Sequence, residues 1–320
     1  MVKSTSKSED IELMTRVASL YYLENVTQAD IGVLLGLSRP KVNRLLQRAR
    51  EEHIVEITVR THPALRTELE SELVKRFAVS RAILVANQRT DENQRNLVAR
   101  AAAEHLALSL HDGATVAVGM GRNVGAVPDQ LSNPPRRACT FVCAIGGSPQ
   151  MGAPVNPNDI CRRLAEGFRG QAESFYAPAY AENAVLRDAL SKHNDVKEAL
   201  ARAKSATVAI LGIGDARNDS AVVQMGCFSG SEMGQLRQAG AVGDMLGSFF
   251  DIDGSPVSRG MEGRVVGLSA VDLRAIPQVI AVVSEVDKDT AVLGALRTGI
   301  VDVLITTVAI AGSVLAKEAG

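Results

Sequence analysis

Twelve residues, Arg39 to Arg50 (RPKVNRLLQRAR), hold five basic side chains and no acidic one. That composition suits a polyanion partner. Arg39, Lys41, Arg44 and Arg48 can neutralise phosphates or reach guanine edges, while Asn43 and Gln47 can read adenine. The whole chain of 320 residues carries a net charge of -1, so the positive face is local. A uniformly basic nucleic-acid coat is thereby excluded. The bland reading of such a run is a solvated helix face.

A second chemistry sits in VAVGMGRNVGAV, residues 116–127, which reads as strand, glycine turn and helix. Backbone N–H groups at such a turn can hold a phosphate or hydroxyl oxygen, with Arg122 and Asn123 adding side-chain donors. Close strand–helix packing alone also explains a bare G-x-G. No Gly stands at position 124 and no acidic residue follows at the distance that reads a ribose, so no dinucleotide cofactor is expected. Other candidates carry little. Cys139, Cys143, Cys161 and Cys227 follow no zinc spacing and read as reduced thiols of a cytoplasmic protein. His62, His105, His111 and His193 show no ligand spacing, and Ser148 is not in a G-x-S-x-G elbow. No metal site, no cofactor and no catalytic residue is predicted.

The basic face needs a scaffold. From Ile11, the residues Leu13, Val17, Leu20 and Tyr21 recur at helical spacing, after a polar start (MVKSTSKSED) that reads as a short disordered tail rather than a signal peptide. Thr27 is placed to cap a second helix whose apolar stripe is Ile31, Leu34 and Leu35. Gly36 supplies a tight turn, Ser38 a second cap, and Pro40 falls in the first turn of the next helix. Val42, Leu45, Leu46 and Ala49 then face inward and leave the basic residues outside. The pattern predicts a helix-turn-helix that lays its last helix in the major groove, with Thr27, Gln28 and Ser38 at the helix starts beside it. Alternation through EEHIVEITVR predicts a β wing after that helix.

The boundary is expected near residue 61, giving a DNA-binding domain over 1–60 and a second domain over 61–320. THPALRTELESELVKRF reads as a helix with Leu65, Leu69, Leu73 and Phe77 in one stripe, either a core helix or a connector that helps dimerise the heads. Beyond Arg81, short apolar runs (AILVA, ATVAVGMG, FVCAIGG, ATVAILGIG, VIAVVS, VDVLITT) alternate with helical stretches. They predict an α/β domain with a Rossmann-like parallel sheet covered on both faces, and ligands beyond the strands' carboxyl ends. No apolar run is long enough to cross a membrane.

TQADIGVLLGLSRPKVNRLLQRAREEHIVEITV resembles the N-terminal domain of the SorC family of bacterial transcription regulators of sugar and polyol catabolism. The likeness continues through VGMGRN (118–123), NPNDICRRLAEGF (156–168), ILGIGD (210–215), AGAVGDMLGSFFDIDG (239–254) and DKDTAVLGALRTGIVDVLITT (287–307). The resemblance implies an effector domain built like the sugar-phosphate isomerases. It also implies a sugar, polyol or sugar-phosphate effector held by Gly121, Arg122, Asn123, Asp244 and Lys288, with Asn158 a weaker member, and a homotetramer or dimer on operator DNA. Departures are His53 in place of Gly, Asn43 in place of Ser, Thr307 in place of Asp, and Ser284-Glu285 in place of Gly-Gly. Glu285 adds a negative charge beside Lys288, which predicts a slight preference for an unphosphorylated effector. A regulator is expected; a sugar-phosphate isomerase or deaminase fused to a DNA-binding head is the alternative.

Overall fold

The computed structural model describes residues 3–52, 54–55, 63–147, 152–258 and 262–319. The chain divides into two compact units, Met1–Val59 and Arg60–Gly320.

The first unit packs α1 (Lys3–Tyr22), α2 (Gln28–Leu35) and α3 (Arg39–Glu51) around Met14, Val17, Ala18, Ile31, Val42, Leu45, Leu46 and Ala49. The side-chain oxygen of Thr27 accepts from the Asp30 N–H at 3.3 Å, closing the first turn of α2. Gly36 ends that helix at φ 66, in the left-handed region where a side chain is strained. Three expectations are corrected here. Helix α1 reaches back to Lys3, where a disordered tail was expected. Those polar residues carry no apolar periodicity, yet Asp10 ties this end to α3 through Arg48 at 2.9 Å. Leu34 is 64% exposed, because burial at Ile31 and Gly32 centres the buried face of α2 about 100° away from it. Ser38 stands at the N-cap of α3 with extended backbone, but its hydroxyl makes no capping hydrogen bond. Of the predicted wing, residues 53 and 56–60 lie outside the described residues.

The second unit opens with α4 (Pro63–Phe77), which buries Leu73 and Phe77 against the core and lays Leu69 beside them. In chain order there follow β1 (Arg81–Val85), α5 (Asp91–Ser109), β2 (Thr115–Val118), α6 (Arg122–Gly125), β3 (Thr140–Cys143), α7 (Pro157–Phe168) and β4 (Gln171–Glu173). Next come α8 (Ala184–Lys192), α9 (Asn194–Lys204), β5 (Val208–Gly212), β6 (Gly214–Asp215), α10 (Ala221–Gln224), α11 (Gly230–Gln238), β7 (Gly243–Met245) and β8 (Ser248–Phe250). The unit closes with α12 (Ala270–Arg274), β9 (Gln278–Val282), α13 (Asp289–Arg297), β10 (Val303–Thr307) and α14 (Val308–Glu318).

Seven strands form one parallel sheet in the order β1-β10-β9-β5-β2-β3-β4. The central strands are apolar on both faces because helices cover both, and two separate clusters of buried side chains result. From β2 the chain winds outward through β3 and β4; from β5 it winds the other way through β9 and β10. The winding therefore reverses between the neighbours β2 and β5, and a crevice opens past their carboxyl ends. Strands β6, β7 and β8 make a small antiparallel sheet beside that crevice. No helix among the described residues is long and apolar enough to cross a membrane.

Candidate functional site

Four chain segments meet at the reversal point. The turn after β2 brings Met120 to Asn123, the end of β5 brings Gly212 to Gly214, β7 brings Asp244, and the turn after β9 brings Glu285 and Lys288. Together with Ala221, Val222, Met225 and Leu246 they line a crevice of about 580 Å³, open in part to solvent. Gly121, Arg122, Asn123, Asp244 and Lys288 are thus brought together from positions far apart in sequence. Asn158 is not among them. Its amide nitrogen donates to the Phe175 carbonyl at 3.0 Å, and its carbonyl oxygen accepts from the Phe175 N–H at 2.7 Å. That pins the chain after β4 to the start of α7.

Asp244 is buried, and its Oδ2 accepts the Gly247 N–H at 2.8 Å. Its Oδ1 accepts no hydrogen bond among the described residues. Only glycine fits opposite: a Cβ at Gly214 would stand 1.9 Å from that oxygen. Burial pushes the Asp244 carboxyl up to about 6, with nearby Asp215 adding to the rise, against the Gly247 hydrogen bond and the Lys288 charge.

The turn after β9 holds a tighter arrangement. Glu285 accepts from Asn123 Nδ2 at 2.8 Å and lies 3.5 Å from Lys288 Nζ and 3.5 Å from Arg122 Nη2. Ser284 Oγ donates to Asn123 Oδ1 at 2.7 Å, so this pair of residues clamps both ends of the Asn123 amide. Lys288, itself buried, also donates to the Ile213 carbonyl at 3.1 Å. Burial would raise the Glu285 carboxyl, but the Lys288 charge, the Asn123 hydrogen bond and Arg122 outweigh it and hold the group at about 2. Next in chain to Gly214 and Lys288, Asp215 and Asp287 are bridged by Arg217. Sequence reading missed this bridge, because it joins residues 70 apart and leaves no local pattern.

Two N–H groups of the expected backbone cradle are already engaged. The Gly119 N–H donates to the Ile210 carbonyl at 2.8 Å and the Gly121 N–H to the Val155 carbonyl at 3.2 Å. Neither is free for a ligand oxygen.

In the first unit, Arg39, Lys41, Asn43, Arg44 and Gln47 are exposed along α3 over its buried stripe of Val42, Leu45, Leu46 and Ala49. Gln47 donates to Glu51 at 3.0 Å. Arg48 is half-buried and spent on Asp10 and Glu52, both at 2.9 Å. It braces the unit more than it offers a free cation. Thr27, Gln28 and Arg39 share a groove with Tyr21 and Tyr22.

Comparison with known proteins places this architecture. Residues 61–316 match the family described as "Putative sugar-binding domain". The chain is 30% identical over 314 residues to the transcriptional regulator LsrR of Klebsiella pneumoniae, covering 95% of this chain and 93% of that one. The crystal structure of the full-length sorbitol operon regulator SorC from Klebsiella pneumoniae superposes with a TM-score of 0.76 at 26% identity, over 96% of this chain and 99% of that one. The crystal structure described as the "Putative Sugar-Binding Domain of Transcriptional Repressor from Vibrio fischeri" is 40% identical, with a TM-score of 0.74, over 79% of this chain and all (100%) of that one. With a helical head that offers an exposed basic helix and a doubly wound domain that matches the sugar-binding model along its length, the chain belongs to the SorC family of transcriptional regulators.

Proposed function

We propose that this regulator binds operator DNA through the exposed face of α3 and takes a small sugar, polyol or sugar phosphate in the crevice between β2 and β5. Ligand binding then changes operator affinity, and the protein controls a carbohydrate or polyol catabolic operon in the cytoplasm as a homotetramer or dimer. The observation that carries the ligand half is the buried carboxylate oxygen Asp244 Oδ1, which accepts no hydrogen bond among the described residues while its side chain lines the crevice. Unmet buried acceptors are costly, and hydroxyl groups of a ligand satisfy them. Exposed Arg39, Lys41 and Arg44 beside Asn43 and Gln47 support the DNA half, since they combine phosphate neutralisation with base-reading amides.

Asp244, held at about 6, has the value a general base needs, which is what favours an enzymatic reading. A partner acid is harder to find. Glu285 stays ionised at neutral pH and has no proton to give. Genome-wide mapping of the protein's DNA sites tests the regulator reading. Sites upstream of genes for carbohydrate or polyol enzymes are expected. Product formation on incubation with sugar phosphates, with no such sites, would favour the enzyme instead.

A further inference from the structure

We propose that the crevice selects an uncharged polyol or free sugar over the matching phosphate ester, with Glu285 standing as a built-in anion among the groups that a phosphate would need. The inference rests on the ligand-binding reading above and names its substrate class.

The cationic groups of the crevice are already engaged. Glu285 lies 3.5 Å from both Arg122 and Lys288, and one Asn123 N–H is spent on the same carboxylate. The charged residues lining the crevice are Arg122 and Lys288 against Asp244 and Glu285, two of each sign. No surplus positive charge is left for a dianion. The Gly119 and Gly121 N–H groups, which could have cradled phosphate oxygens, donate to backbone carbonyls instead. What remains open is acceptor capacity at Asp244 Oδ1, whereas Glu285 Oε1 already faces the Arg122 guanidinium at 3.5 Å. A phosphate dianion presents only acceptors, whereas hydroxyl groups donate. Met120, Val222, Met225 and Leu246 supply apolar walls for carbon faces between those polar points.

The test is calorimetric titration of the full-length protein with sorbitol and its phosphate ester, ribose and its phosphate ester, and inorganic phosphate alone. In the wild type, the free polyol or sugar should bind at least about tenfold more tightly than its ester. In Glu285→Gln, which removes the charge that engages Arg122 and Lys288, inorganic phosphate should bind at least about tenfold more tightly than in the wild type. An ester that binds the wild type more tightly than its parent would overturn the inference and leave the ligand-binding reading standing. Unchanged phosphate affinity in a folded Glu285→Gln would also overturn it. Failure of every probe to bind both proteins would overturn the ligand-binding reading with it. Should Glu285→Gln not fold, the wild-type pairs still decide.

Discussion

Replacing Lys288 by Met removes the charge that keeps a buried carboxylate ionised, and the effect on stability can be worked from the site. Glu285 is 12% exposed at its side chain, and burial acts to raise it. Lys288 is the largest of the opposing influences that hold it at about 2 rather than near 4.5. That difference corresponds to about 3 kcal/mol of preference for the folded, ionised state. The sign follows from a depressed folded value. The contribution is full above pH 4.5 and is lost as the pH falls towards 2. In Lys288→Met the remaining partners, Asn123 and Arg122, face an uncompensated burial penalty, so the second unit should lose about 3 kcal/mol at pH 7. The loss should shrink at pH 4, where protonation relieves the carboxylate. Urea titrations followed by circular dichroism at both pH values measure this. A Lys288→Met, Glu285→Gln double variant should recover much of the loss, since no lone buried charge is left. A loss under about 1 kcal/mol at pH 7, or one equal at both pH values, would refute the reasoning.

Other outcomes follow from the same geometry. Arg44→Ala should weaken operator binding by about 1–3 kcal/mol with the second unit still folded. Gln47→Ala should cost less, because Gln47 must first leave Glu51; unchanged operator affinity and unchanged sequence preference in both variants would reject this placement. Asp244 stands near 6 with Asp215 and Lys288 as its charged neighbours, so affinity for a hydroxyl ligand should rise between pH 5 and 7 as the carboxylate forms. A flat calorimetric pH profile would contradict it. Stability moves the opposite way at this residue: its raised folded value favours the fold at acid pH and is lost as pH rises through 6, the reverse of Glu285.

The parts of this molecule that were legible in the sequence are those written over short distances. The turn at Gly36, the cap at Thr27 and the buried stripe of α3 each depend on residues within a few positions of one another. The apolar runs that became β1, β2, β3, β5, β9 and β10 announce themselves because both of their faces are covered. Strands of two or three residues such as β4, β6, β7 and β8 are too short to show a period, and so the antiparallel sheet beside the crevice was not foreseen. Leu34 stands at helical spacing from Ile31, but Gly32 joins the buried face of α2 and turns Leu34 outward. Glu285 was visible only as a like charge near Lys288. Its role as the partner of Asn123, 162 residues away, is a product of the sheet order and could not be read locally. For the same reason Asn158, which shares a family-like stretch, turned out to be held by Phe175.

Fluorescence anisotropy of a labelled operator fragment, titrated with the polyol or sugar that binds best, tests the coupling between crevice and DNA most directly. The wild type should change its operator affinity by about fivefold or more when ligand is added. Asp244→Asn should bind the same fragment as well as the wild type does without ligand, and should lose that response. An operator affinity that ligand leaves unchanged in the wild type, or a full response retained in Asp244→Asn, would contradict control through this crevice.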